Sequence, residues 1–379
     1  MQSQRDIGLY LHIPFCRQRC HFCAFYLEVA GTDQGTARMD AFCLALAQEI
    51  EIHHRQDSIG NRPLQSIYFG GGTPTALPAA QLVSLLQLAQ TAWPIQASTE
   101  ITVEAHPSTV TPTDLKILAD AGFTRISFGA ESMDERDFTS IGRPGRVLDT
   151  EIAVRSARHA GFANINLDLM YGLPGQSLDS WMSTVRSLLT LEPSHISCYA
   201  LTIEDGTRLS RNIAMNLAQG TDDALQIDME SAAETLLAEA GFIRYEISNY
   251  AKPGFACRHN LLYWTDGDYL GLGPSAQSYV RGVRFGNVAD LTAYMARLTA
   301  HQLPITERTR LSDNEQQRDA LVFGLRLLRG VPLHRAIDSA QHRTIHALIE
   351  KGLLETDAEL IRLTSLGRRY ADTVAGELF

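Results

Sequence analysis

Along the first 200 residues, short runs of β-branched, aliphatic and aromatic residues alternate with stretches whose apolar positions repeat at helical spacing. Runs at Gly8–Ile13, Ser66–Phe69, Glu100–Glu104, Arg125–Gly129, Asn164–Met170 and His195–Leu201 predict strands. Between them, Met39–Arg55 places Phe42, Leu46 and Ile50 on one face, and Ala79–Ala92 does the same with Leu82, Leu85, Leu86 and Ala89. Thr111 before Pro112 predicts a capped helix over Pro112–Ala121. Leu148–Ala160 and Leu178–Leu189 complete the set. Strands alternating with helices imply parallel βαβ units. Polar residues collect where the strands end: Tyr10 and His12, then Gly70–Thr73, Glu104, Glu131 and Asp168. A β/α barrel keeps its active site on such a rim, so a partial (β/α)6 barrel is expected rather than a doubly wound sheet.

The pattern then changes. Thr202–Ala240 reads as less regular, and Gly241–Gly286 as short β pieces rich in Gly, Tyr and Asn that extend the sheet. Ala289–Arg297 reads as a helix. Beyond it come two predicted helices, Leu311–Arg329 and Arg343–Lys351, a hairpin over Gly352–Thr364 and a last helix over Ser365–Ala375. That order is a winged-helix-like α+β module. Three units follow: 1–240 as barrel, 241–305 as sheet extension and connector, and 306–379 as the C-terminal module.

Composition narrows the function classes. Of 379 residues, 45% are hydrophobic and 20% charged, enough apolar material for a large core and too much for a disordered chain. The net charge of −10 leaves no broad basic footprint, and the C-terminal module carries no basic stripe, so a packing or interaction role is expected for it rather than DNA binding. No apolar run approaches a membrane span, and Met1–Ile13 lacks the pattern of a signal peptide. The cytoplasm is the expected location, where thiols stay reduced.

Three of the six cysteines, Cys16, Cys20 and Cys23, stand in C-x3-C-x2-C spacing just after the first predicted strand. Thiolates are soft ligands for zinc or an iron–sulfur cluster. A zinc site wants four ligands, commonly as paired C-x2-C halves, and a second pair is missing; His12 or His21 would have to complete it. Three close thiolates instead suit a [4Fe–4S] cluster with one iron left open. Cys43 and Cys198 read as core residues.

This spacing resembles the radical S-adenosylmethionine superfamily. Tyr10-Leu-His-Ile-Pro-Phe-Cys16, Gly70-Gly-Gly-Thr-Pro-Thr75 and Asp168-Leu-Met-Tyr-Gly-Leu-Pro174 resemble the branch that holds the oxygen-independent coproporphyrinogen III oxidases and related haem chaperones. The resemblance spans nearly the whole chain. It implies that Cys16, Cys20 and Cys23 hold the cluster, that S-adenosylmethionine chelates the open iron, and that an electron from the cluster cleaves its sulfonium. It also implies cofactor contacts from Tyr10, Gly71, Gly72, Thr73, Glu104, Glu131, Arg143 and Asp168. The residue types agree: glycines admit a close backbone approach, an arginine suits a carboxylate, and an aspartate suits ribose hydroxyls.

Within the branch, the oxidases carry a further cysteine two positions after the third ligand and a longer N-terminal segment. Here that position is Phe25, and the cysteine loop starts at residue 16. His259-Asn-Leu-Leu-Tyr263-Trp264 resembles the HNxxYW motif of the chaperones. An imidazole can ligate haem iron, with Cys257 as an alternative, and Tyr and Trp faces suit a macrocycle. Four positions depart from the family pattern: Glu131 stands for Gln, His106 for Asn, and Gly145 and Gln277 for His. The expected function is haem binding and delivery, with haem as cargo, membrane respiratory haem proteins as recipients, a peripheral place at the membrane during delivery, and a homodimer as the plausible assembly. The alternatives are oxidative decarboxylation of coproporphyrinogen III and a related radical methyl transfer.

Overall fold

Each of the six predicted strands forms, five of them longer than the pattern indicates and the last one residue shorter: Ile7–Ile13, Leu64–Gly71, Ile95–Ala105, Arg125–Glu131, Asn164–Tyr171 and His195–Ala200. The computed structural model describes residues 6–30, 33–335, 339–357 and 359–379. The first five residues of Met1–Ile13 therefore lie outside the described residues.

The six strands pair in parallel and in chain order. A seventh parallel strand, Asp268–Leu272, lies on the far side of Ile7–Ile13. Antiparallel strands extend both ends: Gln277–Val280, Val283–Asn287 and Ile305–Arg310 beyond the seventh, Asn249–Ala251 and Ile243–Arg244 beyond the sixth. The resulting twelve-stranded sheet keeps two free edges, so the barrel is partial.

Alternation along each strand separates core from cavity. Leu9, Ile67, Phe69, Val103, Ile126, Phe128, Leu167, Leu169 and Ile196 are buried against the helices, among them Leu46, Leu82, Leu86, Leu118, Val154 and Val185. Their alternates Tyr68, Glu104, Ser127, Asn166, Asp168 and Ser197 face the interior cavity. Helices Ala79–Ala92 and Leu178–Leu189 have the expected bounds, and Thr111 caps Pro112–Asp120 with a reciprocal bond from Asp114.

Several expectations are corrected. Thr202–Ala240 holds two helices, Arg208–Ala214 and Asp223–Glu239. The second buries only Met229, Ala233 and Leu237, a stripe one residue wide that composition does not announce. Within Gly241–Gly286, residues Arg258–Trp264 form a helix rather than a β piece. The helix expected over Leu311–Arg329 is Asp313–Gly324; Leu327 instead bridges to Glu246, and Gly330 turns the chain at φ +79°. The last helix breaks at Tyr370 into Ser365–Arg369 and Ala371–Leu378. Around these, Val331–Pro332, Leu360–Leu363 and Leu354–Thr356 form a three-stranded antiparallel sheet with its own core of Leu321, Leu325, Ile345, Leu348, Ile361 and Val374.

Candidate functional site

The C-terminal ends of the parallel strands surround a cavity of about 630 Å³. Cys16, Cys20 and Cys23 line one wall, and the loop carrying them is pinned on several sides. Phe15–Cys16 pairs with Glu28–Val29, closing the loop on itself. Arg19 donates to the carbonyls of Cys23 (3.2 Å), Phe25 (3.0 Å) and Leu27 (3.1 Å). His21 N–H donates to Ile141 at 2.9 Å, and its carbonyl accepts from Leu209 at 2.8 Å. Three anchors fix a short loop whose residues would otherwise be free to reorient.

The glycine run abuts this loop. Gly72 N–H donates to Ile13 and Thr73 N–H to Phe15, at 2.9 and 2.7 Å, while Thr73 Oγ1 lies 3.3 Å from Cys16 Sγ. A Cβ on Gly72 would lie 2.7 Å from the Phe15 carbonyl oxygen, and Gly71 has φ +115°. Glycine is required at both positions.

Glu104 accepts from Tyr68 OH at 2.7 Å and from Gly71 N–H at 3.2 Å. Burial pushes its carboxyl up to about 7, against those two bonds, and the nearby Asp168 adds to the rise. Asp168 accepts from Ser127 and Asn166 at 3.2 and 2.8 Å. Behind it a buried chain continues from the Asn166 carbonyl to His195 (2.5 Å), then to Tyr245 OH (2.8 Å). Glu131 has φ +62° and pairs with Arg143 at 3.3 Å. Burial raises its carboxyl while Arg143 opposes the rise.

All three cysteines, Gly71, Gly72, Thr73, Glu104, Glu131, Arg143 and Asp168 thus meet in one cavity. Tyr10 does not: its ring stands behind Gly70, beside the rings of Tyr68 and His259, which are stacked on each other. Sequence reasoning missed Tyr68, Arg125, Ser127, Asn166, Ser197, Tyr199 and Asn260, which also line the cavity. Polar residues at every second position of the fourth to sixth strands were the available signal.

The departures from the family pattern have local accounts. His106 Nδ1 caps the turn Pro107–Thr109, accepting from Ser108 N–H at 3.2 Å, as an asparagine would. Gly145 has φ +92°. Gln277 lies exposed on an antiparallel strand and donates to Glu307 at 3.4 Å.

The HNxxYW segment is placed differently from what its sequence suggests. His259 is 1% exposed; its Nδ1 shares a hydrogen bond with Ser66 Oγ (2.8 Å) and its Nε2 with Tyr263 OH (2.9 Å). Both imidazole nitrogens are thus engaged, so iron ligation by His259 would require one of these bonds to open. Cys257 is buried too, its thiol directed at Glu100 at 3.5 Å. Asn260 lines the main cavity, whereas Tyr263 and Trp264 line a second pocket of about 220 Å³ with Tyr269, Tyr279 and Phe323.

The thiols and their surroundings suit an iron–sulfur cluster. Three thiols face one cavity, and Arg143 Nη1 stands 4.0 Å from Cys20 Sγ, a cation suited to an anionic cluster. Neither histidine that could complete a zinc site lines this cavity: His12 packs on Gly71 and His21 on Gly142. Among the described residues, no three His, Cys, Asp or Glu side chains are arranged round a single ion. Burial raises all three thiols, Cys20 to about 11. They are protonated until a metal takes the proton's place. The residues fit the group.

A partial parallel barrel with three loop cysteines beside a glycine run defines the class. The model of the radical SAM superfamily matches residues 10–188, and that of the HemN C-terminal domain residues 311–370. The chain is 33% identical to "Heme chaperone HemW" of Mycobacterium tuberculosis over 99% of this chain and 95% of that protein. It is 31% identical to the protein of the same name in Bacillus subtilis, covering 97% of each. The chain belongs to the HemW family of the radical SAM superfamily, which implies a [4Fe–4S] cluster and S-adenosylmethionine. Its fold matches the solved coproporphyrinogen III oxidase (HemN) of Escherichia coli with a TM-score of 0.86 and 23% identity, over 99% of this chain and 90% of that one. Among the described residues no helix is long and apolar enough to cross a membrane.

Proposed function

We propose that the chain binds haem and hands it to haem proteins, with Cys16, Cys20 and Cys23 holding a [4Fe–4S] cluster and the cavity holding S-adenosylmethionine. The observation that carries this reading is the meeting of three thiols, a glycine run and an acid rim in one cavity, in a chain related over 99% of its length to a protein named a haem chaperone. When bound, the cluster and S-adenosylmethionine supply one-electron chemistry. The chain's own residues bind and orient. Gly71, Gly72 and Thr73 present backbone groups to the amino-acid end. Arg143 donates to a carboxylate, Glu104 accepts from an ammonium or hydroxyl, and Asp168 and Glu131 accept from ribose hydroxyls. Tyr10 supports this wall from behind.

The faces of Tyr263 and Trp264 are the haem candidates in this reading, and His259 becomes a ligand only by leaving Ser66 or Tyr263. Segment 241–305 is then the unit between barrel and C-terminal module that carries the motif. Recipients are membrane respiratory haem proteins, met at the membrane periphery, with the protein as a homodimer. Oxidative decarboxylation of coproporphyrinogen III is the second reading, favoured by the fold match. Phe25, 69% exposed at the cavity mouth, weighs against it, because it offers a flat apolar face where the oxidases have a thiol.

The test is anaerobic reconstitution followed by haemin titration. A saturating, near-stoichiometric Soret band, with haemin recovered unchanged in mass, supports the carrier. Turnover of coproporphyrinogen III under reducing conditions, without specific haemin binding, would overturn it.

A further inference from the structure

Below the proposed cofactor contacts, the cavity ends on a cation that the reading above does not use. The strand Arg125–Glu131 turns Arg125, Ser127, Gly129 and Glu131 to the cavity, from its floor to its rim. Arg125 is 2% exposed, yet its Nε and Nη1 have no hydrogen-bond partner. Three other deeply buried arginines are paired: Arg62 with Asp268 at 2.6 Å, Arg143 with Glu131 at 3.3 Å, and Arg244 with Glu230 at 2.7 Å.

Among the described residues, the acids that feel the charge of Arg125 form no ion pair with it. Glu100 Oε1 accepts from the N–H groups of Arg258 (3.0 Å) and His259 (3.3 Å) and from the Cys257 thiol (3.5 Å). Glu104 accepts from Tyr68 through one oxygen and from Gly71 through the other. The Asn166 amide donates to Ser127 and Asp168, and its carbonyl is met by His195 and Ser197. A buried guanidinium is costly unless an anion meets it, and its planar fork matches a carboxylate. Arg125 therefore differs from the paired arginines in having no carboxylate partner, and it faces a cavity large enough to admit one.

We propose that Arg125 is an anion-binding floor that takes a carboxylate of the ligand filling the cavity. The identity of that ligand rests on the proposed function; the carboxylate chemistry does not. Two sources carry it: the propionates of a haem seated in this cavity, and the amino-acid carboxylate of S-adenosylmethionine, which would then leave Arg143 to Glu131.

Cluster-loaded full-length protein is titrated with two matched pairs: haemin against haemin dimethyl ester, and S-adenosylmethionine against its decarboxylated analogue. Wild type is compared with Arg125→Met and Arg125→Lys, and circular dichroism checks the fold of each. Wild type is expected to prefer the acid of one pair, and Arg125→Met to cut that preference about tenfold or more. A response in the haemin pair assigns the floor to a propionate; a response in the other pair assigns it to the amino-acid carboxylate. If Arg125→Met does not fold, Arg125→Lys keeps the charge without the fork and should lose part of the same preference. Preferences unchanged in the folded variants, or no preference for either acid in wild type, overturn the proposal. Failure of the haem reading shows separately, as an absence of saturable haemin binding in wild type while the other pair still reports on Arg125.

Discussion

Arg143 Nη1 stands 3.3 Å from Glu131 Oε1, with the two side chains 6% and 13% exposed. The same guanidinium donates to the Gly129 carbonyl and reaches towards Cys20. Glu131 takes the place where the family resemblance expects glutamine, and Arg143 offsets the charge it brings. The pairing also occupies the donor that a ligand carboxylate would use. Glu131→Gln is therefore expected to release Arg143 and tighten S-adenosylmethionine binding by about fivefold, the size of one modest charge–charge contact. Isothermal titration of the cluster-loaded protein measures this. Weaker binding would mean that the carboxylate's own acceptor role outweighs its hold on Arg143.

Gly72 lies where the glycine run and the cysteine strand touch. Its N–H donates to Ile13, and a Cβ there would meet the Phe15 carbonyl at 2.7 Å. Backbone cannot yield as a flexible side chain would. Gly72→Ala is expected to displace Phe15–Cys16, lowering iron per chain after reconstitution and weakening S-adenosylmethionine at least tenfold, with an unchanged far-ultraviolet spectrum. Iron and sulfide assays on wild type, Gly72→Ala and Cys20→Ser decide it. Full loading of Gly72→Ala would show that the strand gives way freely.

The barrel was legible because its signal is local. A strand such as Arg125–Glu131 announces itself by β-branched and aromatic content, and Ala79–Ala92 by a wide apolar face. The cysteine loop was legible because its chemistry is carried by spacing alone. What sequence could not give was set by tertiary contact. Leu311–Arg329 keeps helical periodicity to its end, yet Leu327 bridges to Glu246, a partner far away in the chain. Tyr10 and His259 sit in motifs that point to ligands, but strand Ile7–Ile13 and helix Arg258–Trp264 turn them toward each other. The cavity floor was missed because Arg125 has no motif. Its meaning depends on which neighbours have oxygens left to give.

The C-terminal module is held to the barrel by two shared carboxylates. Glu234 accepts from Arg244 at 2.6 Å and from Arg368 at 3.3 Å, and Glu230 from Arg244 at 2.7 Å and Arg369 at 3.3 Å. Arg244 belongs to the sheet edge, Arg368 and Arg369 to the helix Ser365–Arg369. Glu234→Ala removes one carboxylate from a network with two nearly buried guanidinia, and part of that side chain faces solvent. The expected cost is about 1–2 kcal/mol, borne mainly by the docking of the module. Limited proteolysis should then release a C-terminal fragment sooner than in wild type. Cleavage at the wild-type rate would place the docking energy in apolar contacts instead.

His259 offers a test of the motif that does not depend on haem. Burial, with Arg125 nearby, lowers its imidazole to about 3, so it is neutral at pH 7, one nitrogen donating and the other accepting. In the unfolded chain it titrates near 6.5. Between pH 6.5 and 3 the unfolded chain binds a proton that the folded chain refuses. Stability contributed by His259 is thus present above pH 6.5 and lost as pH falls through that window, by about 1.4 kcal/mol per unit. Other groups, such as the raised carboxyls of Glu49 and Glu104, work in the opposite sense, so the difference between two proteins is the useful quantity. His259→Gln is expected to cost about 1–3 kcal/mol at pH 7.5, from the bonds to Ser66 and Tyr263, and that penalty should shrink by about 1 kcal/mol between pH 6.5 and 5.5. Urea unfolding at the three pH values measures it. A penalty independent of pH would mean that the imidazole reaches solvent in the folded protein, and the helix Arg258–Trp264 would then be the element that opens to let it meet iron.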